Sequence, residues 1–165
     1  MRSRKLLIVI AALVLCTSTL AGQSHPKRKH INLPNRPPNA PFSDAVMVGD
    51  SLYLAGRIGL DAKTGKLPTD VDVEIRNLLG SFQALLAQVG MSMDDLVTVQ
   101  VFCPDVSLYE RFNAAYRHEF KKDLPARAFI GSGPLLFGAH FEMQGIAVRN
   151  AVEAQKKTNR KNRQP

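Results

Sequence analysis

Residues 125–148 read PARAFIGSGPLLFGAHFEMQGIAV. An arginine, Arg127, sits in Pro125-Ala126-Arg127 at the head of one apolar run. A Gly/Pro-rich turn follows, and then a second apolar run with one carboxylate, Glu142, and no other ionised side chain before Arg149. Two strands are predicted, about 126–131 and 141–149. On the second, Glu142 shares a face with Gln144, Ile146 and Val148, opposite Phe141 and Met143. Burying either charge alone is costly, so an arginine and a carboxylate on strands read as neighbours need a reason. One reading is a structural ion pair, or two exposed side chains. The other makes Arg127 a bidentate clamp on an anionic substrate, with Glu142 handling water or a proton beside it.

Upstream of this stretch the chain alternates strands and helices. Ala45–Val48 and Ser51–Ile58 flank Gly49-Asp50, a hairpin signal. Period-two alternation places Leu52, Leu54 and Ile58 on one face and Tyr53, Ala55 and Arg57 on the other. Gly56 interrupts the strand and predicts a bulge or a close backbone approach. Ile75, Leu78, Leu79, Phe82, Leu85, Leu86 and Val89 recur at helical spacing, which predicts a helix over 71–89 stopped by Gly90. Leu96–Phe102 reads as a strand covered on both sides. Ser107 and Glu110 have capping-box spacing and open a second helix, with Leu108, Phe112, Ala115 or Tyr116, and Phe120 as its stripe. The predicted order is β-β-α-β-α-β-β: an α+β fold, with an antiparallel-rich mixed sheet and two helices packed on one face.

The ends of the chain differ from its middle. The formal charge is +8 over 165 residues, yet all 14 acids and only 11 of the 22 basic residues fall between 31 and 155, a net of −3 there. The basicity is terminal, and no aromatic platform lies beside it, which argues against a specific nucleic-acid partner. Residues 1–21 read as a signal peptide: a charged start at Arg2, Arg4 and Lys5, an apolar run over 6–15, and cleavage after Ala21. Its apolar run is too short for a comfortable membrane span. The chain is expected to be periplasmic or secreted, with no stable membrane span after cleavage. Residues 22–29 read as a disordered basic lead-in and 151–165 as a basic disordered tail. Cleavage removes Cys16 and leaves Cys103 alone, so no intrachain disulfide is expected. Cys103, His25, His30, His118 and His140 lack metal-ligand spacing, so no metal and no cofactor are expected. Internal repeats, heptads and phosphate-binding glycine loops are absent from the sequence.

The Pro-Ala-Arg element, the short loop and the apolar-Glu-Met strand resemble the RidA/YjgF family of enamine/imine deaminases. Further matching segments are Lys29–Asn32, Asn39–Ala45, Leu52–Asp61, Thr64-Gly65, the helix over 75–90, Val99–Phe102, Phe112–Tyr116 and Ile146–Arg149. The resemblance covers about 30–150. It implies a chorismate-mutase-like/RidA fold, an extended segment along the sheet from His30, and a homotrimer whose sheets form a central barrel with sites between subunits. It also implies cofactor-free hydrolysis of 2-iminobutanoate, 2-iminopropanoate and related imines to 2-keto acids and ammonia. Arg127 and Glu142 match the catalytic pair, Asn113 a supporting asparagine, and the backbone around Gly56 and Phe129 a pocket lining. Ala55 and Phe42 stand where the family has a serine and a tyrosine, and Phe129 where smaller residues are common. The expected pocket is therefore more apolar. The alternative is a non-catalytic envelope protein that binds small carboxylates or a protein partner in the intersubunit cleft.

Overall fold

A computed structural model of the chain describes residues 27–34 and 36–149. The signal peptide and the basic tail read from the sequence lie outside the described residues. The described chain forms β1 (Arg28–Ile31), β2 (Ala45–Val48), β3 (Ser51–Ile58), α1 (Val71–Ala87), β4 (Leu96–Cys103), α2 (Tyr109–His118), β5 (Ala126–Gly131) and β6 (Glu142–Val148), with short 3-10 turns at Met93–Asp95, Val106–Leu108 and Leu136–Gly138. The six strands make one mixed sheet in the order β1-β2-β3-β6-β4-β5. Only the β4–β5 pair is parallel, as its connection through α2 requires.

The helices form where the apolar period demands. Asp70 caps α1, its carboxylate accepting from the Asp72 amide at 2.8 Å. Ile75, Leu78, Leu79, Phe82, Leu85 and Leu86 are buried, and Gly90, at φ 70°, ends the helical path. Against this stripe lie Leu52, Leu54, Val99, Val101, Met143 and Ala147, all buried. Phe112 and Tyr116 bring α2 onto the same face, stacked at 5.6 Å between ring centroids. Cys103 is buried in this core, and burial pushes its thiol pKa up, away from reactivity.

Four readings change. The second helix is opened not by Ser107 but by Asp105, which accepts from the Ser107 amide at 3.0 Å and starts a 3-10 turn leading into α2. Arg28 and Lys29, read as part of the lead-in, belong to β1, which pairs with β2. The other two concern faces. Leu54 pairs with Gly145 and Arg57 with Met143, so three steps on β3 oppose two on β6. This bulge at Ala55-Gly56 flips the alternation. Arg57 therefore joins Leu54 on the helix face, and Ile58 leaves it, the reverse of the period-two expectation. There Arg57 meets Asp44 Oδ1 at 2.8 Å and Ser81 Oγ at 3.0 Å.

The last correction concerns Arg127 and Glu142. Their strands are not neighbours, because β4 lies between them. One row across the sheet runs Ala45, Leu54, Gly145, Val99, Arg127 and faces the helices. Another runs Ile58, Glu142, Phe102, Ile130 and faces away. The rows are three residues apart on β4, roughly 10 Å along the strands, and β5 and β6 are roughly 10 Å apart across them. An ion pair within one chain is excluded.

Candidate functional site

The β5 strand sets out Arg127 and Phe129 toward α2. The α2 aromatics Tyr109, Phe112 and Tyr116 recur at three- and four-residue spacing and close over them. The guanidinium carbon of Arg127 lies 4.6 Å from the Tyr116 ring centroid, 5.7 Å from Tyr109, 5.9 Å from Phe129 and 6.0 Å from Phe112. Tyr109 meets Phe129 edge-on at 5.0 Å. Arg127 Nη2 donates to Asn113 Oδ1 at 2.6 Å. Its Nη1 is buried without a hydrogen-bond partner, as are Asn113 Nδ2 and the Tyr116 hydroxyl. The residues Asn113, Tyr116 and Arg127 border a cavity of about 240 Å³ together with Arg117, Leu124 and Pro125.

The balance of interactions leaves the arginine incomplete. Each aromatic face attracts a cation by about 0.5–2 kcal/mol, depending on desolvation. One hydrogen bond to a neutral amide adds about 1.5–3 kcal/mol. Taking a cation out of water costs several kcal/mol and is repaid fully only by a well-placed anion. Among the described residues no carboxylate forms an ion pair with Arg127. A small anion would supply the partner that the guanidinium lacks.

The second half of the predicted site lies on the other face, at the step between β3 and β6. A Cβ on Gly56 would lie 2.1 Å from Glu142 Oε1, so the glycine makes room for the carboxylate. The Ala55 amide donates to the Asp44 carbonyl at 3.0 Å, which brings the Phe42-Ser43-Asp44 segment beside β3. Phe42 itself is exposed, and its carbonyl accepts from Arg36 Nε at 3.0 Å. The structure thus brings together Arg127, Asn113 and Phe129 in one group, and Glu142, Gly56 and Ala55 with the Phe42 segment in another. It does not join the groups within one chain.

Sequence reading missed the aromatic cover of Arg127, although the 109/112/116 spacing was visible. It also missed Glu74, a fully buried carboxylate in the first turn of α1. Glu74 accepts from the amides of His140 and Phe141 at 2.8 and 3.1 Å and from His140 Nδ1 at 2.7 Å. It pins the entry to β6 immediately before Glu142. Nothing in a lone Glu at a helix start signals this, because its partners are 66 residues away. A larger cleft of about 510 Å³ lies between α1 and α2, but its Arg111 is already matched by Asp72 at 2.6 Å.

Comparison with known proteins agrees with the fold. Residues 33–149 match the family described as Endoribonuclease L-PSP. A 2-iminobutanoate/2-iminopropanoate deaminase of Dermatophagoides farinae is 31% identical over 125 residues, covering 74% of this chain and 97% of that protein. The crystal structure of the YjgF gene product of E. coli superposes with a TM-score of 0.68 at 30% identity, covering 73% of this chain and 98% of that one. E. coli TdcF, solved with bound serine, superposes with a TM-score of 0.68 at 28% identity over 73% of this chain and 98% of its own.

Proposed function

The chain belongs to the RidA/YjgF (endoribonuclease L-PSP) family, and from that premise we propose that it hydrolyses small 2-imino acids to 2-keto acids and ammonia in a site shared between copies of itself. The observation that carries the reading is the Arg127 guanidinium, enclosed by four aromatic rings, with Nη1 buried and unpaired. A substrate carboxylate supplies the missing anion. The relatives named as 2-iminobutanoate/2-iminopropanoate deaminases act on molecules with such a carboxylate, and serine, bound to TdcF, carries one too.

Glu142 cannot act on that substrate from its own chain, since it faces the other side of the sheet. The proposed assembly is a homotrimer in which Glu142, Gly56, Ala55 and Phe42 of one copy face Arg127, Asn113 and Phe129 of the next. The sheet face turned from the helices supports association, because Tyr53, paired with Ile146 on that face, is about half exposed. In the proposed reaction the enamine tautomerises to an imine. Water held by Glu142 adds to the imine carbon, its proton passes through the carboxylate to nitrogen, and the carbinolamine collapses to the 2-keto acid and ammonia. Positioning and one acid/base suffice, because the imine carbon is already electrophilic. The amino-terminal export reading places this activity outside the cytoplasm.

The test generates iminopropanoate in situ with an amino-acid oxidase and follows its loss with and without the protein. Acceleration that disappears in Arg127→Ala and Glu142→Ala supports the reading. A second reading, a carboxylate-binding protein without turnover, draws on Ala55 and Phe42, neither of which offers a hydroxyl. In that case Glu142→Ala retains ligand binding and no imine is consumed by the wild type. RNA cleavage draws less from this site, whose aromatic rings are occupied with one another and with Arg127.

A further inference from the structure

Glu142 is the first residue of β6, where it pairs with Ile58 on one side and Phe102 on the other. A strand end opens more readily than its middle, and the connection before it displays Leu136 and Phe137 to solvent. Glu74 holds this margin from the helix layer. Its Oε1 accepts from the amides of His140 and Phe141 at 2.8 and 3.1 Å, and its Oε2 lies 2.7 Å from His140 Nδ1. Glu74 is fully buried, and its own place is set by close packing. A Cβ on Gly59 would lie 2.1 Å from the Glu74 carbonyl oxygen and 2.7 Å from its Cγ. Gly59 directly follows Ile58, the β3 partner of Glu142. Phe141 is buried against Phe112 at 4.9 Å between ring centroids. One path of contacts thus runs from the first turn of α1, through the amides of 140 and 141, to Glu142 in the space left by Gly56.

We propose that Glu74 is a positioning residue for the reaction: its Oε1 holds the entry to β6, so that Glu142 keeps one place against the reacting atoms. Its loss lowers the rate without weakening the hold on the substrate carboxylate. The two effects separate because Arg127 stands on β5, beyond β4 and on the opposite face of the sheet. A strand end freed from its clamp displaces the group that handles water, and displacement of that kind costs rate rather than binding. The proposal rests on the role given to Glu142 in the function proposed above.

The test uses the full chain and two variants of similar volume. Glu74→Gln keeps one oxygen for both amides, whereas Glu74→Met offers none. Imine loss, 2-oxobutanoate binding by titration calorimetry and the Glu142 Cδ resonance are read on the same samples. Glu74→Met is expected to lower kcat about 10- to 100-fold while affinity for 2-oxobutanoate stays within about two-fold. It is also expected to move the Glu142 Cδ resonance. Glu74→Gln is expected to recover most of the rate and to leave that resonance in place. An unchanged rate in Glu74→Met overturns the proposal, as does an equal loss of rate and affinity, which is what a merely structural role predicts. If the wild type consumes no imine, the deaminase reading falls and the resonance alone decides: a Glu142 signal unmoved in Glu74→Met rejects the positioning. If Glu74→Met fails to fold, hydrogen exchange of the wild type decides. The amides of His140 and Phe141 must then be protected like those of α1, and exchange as fast as that of residues 133–138 rejects the clamp.

Discussion

Gly56 and Glu142 are locked in shape: a Cβ on Gly56 would lie 2.1 Å from Glu142 Oε1 and 3.2 Å from its Cδ. The bulge in β3 and the lone carboxylate of β6 are two sides of one contact. The atom in the way is the far end of a flexible side chain, so the fold can adapt while the carboxylate cannot keep its place. Gly56→Ala is therefore expected to cost about 1 kcal/mol or less in stability and to lower imine turnover about 10- to 100-fold through misplacement of Glu142. Melting curves and an imine-loss assay on the same sample check both halves.

Glu74 satisfies three donors from one segment. Glu74→Ala leaves two amides and an imidazole nitrogen without their acceptor, and about 2–4 kcal/mol of destabilisation is expected. Glu74→Gln keeps one oxygen for the two amides and should lose less. Urea midpoints at one fixed protein concentration rank the two variants, and equal midpoints would contradict the clamp.

Asp44 and Arg57 form the ion pair that ties the segment before β2 to the bulged strand and, through Ser81, to α1. Asp44 also accepts from the Leu33 amide at 2.8 Å. Its side chain is 6% exposed and that of Arg57 19%, so removing one partner strands the other in a dry environment. Asp44→Ala is expected to destabilise by about 3 kcal/mol. The exposed Arg111–Asp72 pair is expected to show little coupling in a double-mutant cycle, and a larger coupling there than at Asp44–Arg57 would reverse this ranking.

Tyr116 gives the chain an alkaline limit. Its phenol is pushed from 10.0 to about 12 by burial, opposed by the Arg127 charge. Its contribution is fully present below the unfolded pKa near 10. Above that value the unfolded chain releases the proton first, and stability falls until the folded phenol titrates at about 12. The loss over this window is about 2–3 kcal/mol. Between about pH 9.5 and 12 the denaturant midpoint of the wild type should fall relative to that of Tyr116→Phe, which has no phenol to titrate, and parallel curves would show that the phenol is not protected.

Much of the architecture was legible in the sequence because its signals are local. The 3.6-residue stripe from Ile75 to Leu86 needs only neighbouring turns to declare itself, and α1 follows it to within two residues of the predicted end. The Gly49-Asp50 hairpin lies where a two-residue turn with positive φ at Gly49 puts it. The alternation of β6 set Met143 on the face opposite Glu142, and in the fold Met143 is buried while Glu142 is partly exposed. Pro125-Ala126-Arg127 announced a family and an arginine to be matched.

Tertiary structure decided the rest, for a reason of distance and parity. A strand shows which of its residues share a face, but not which face of the sheet that is or which strand lies next to it. The insertion of β4 between β5 and β6 separated Arg127 from Glu142. One extra residue at the Gly56 bulge exchanged the faces of Arg57 and Ile58. The closure of Tyr109 and Tyr116 over Arg127, and the reach of Glu74 to His140, depend on side chains brought together only when the layers pack. Sequence by itself determined most of the elements, whose signals are local; the sheet order and strand registers decided that Arg127 and Glu142 lie on opposite faces of the sheet.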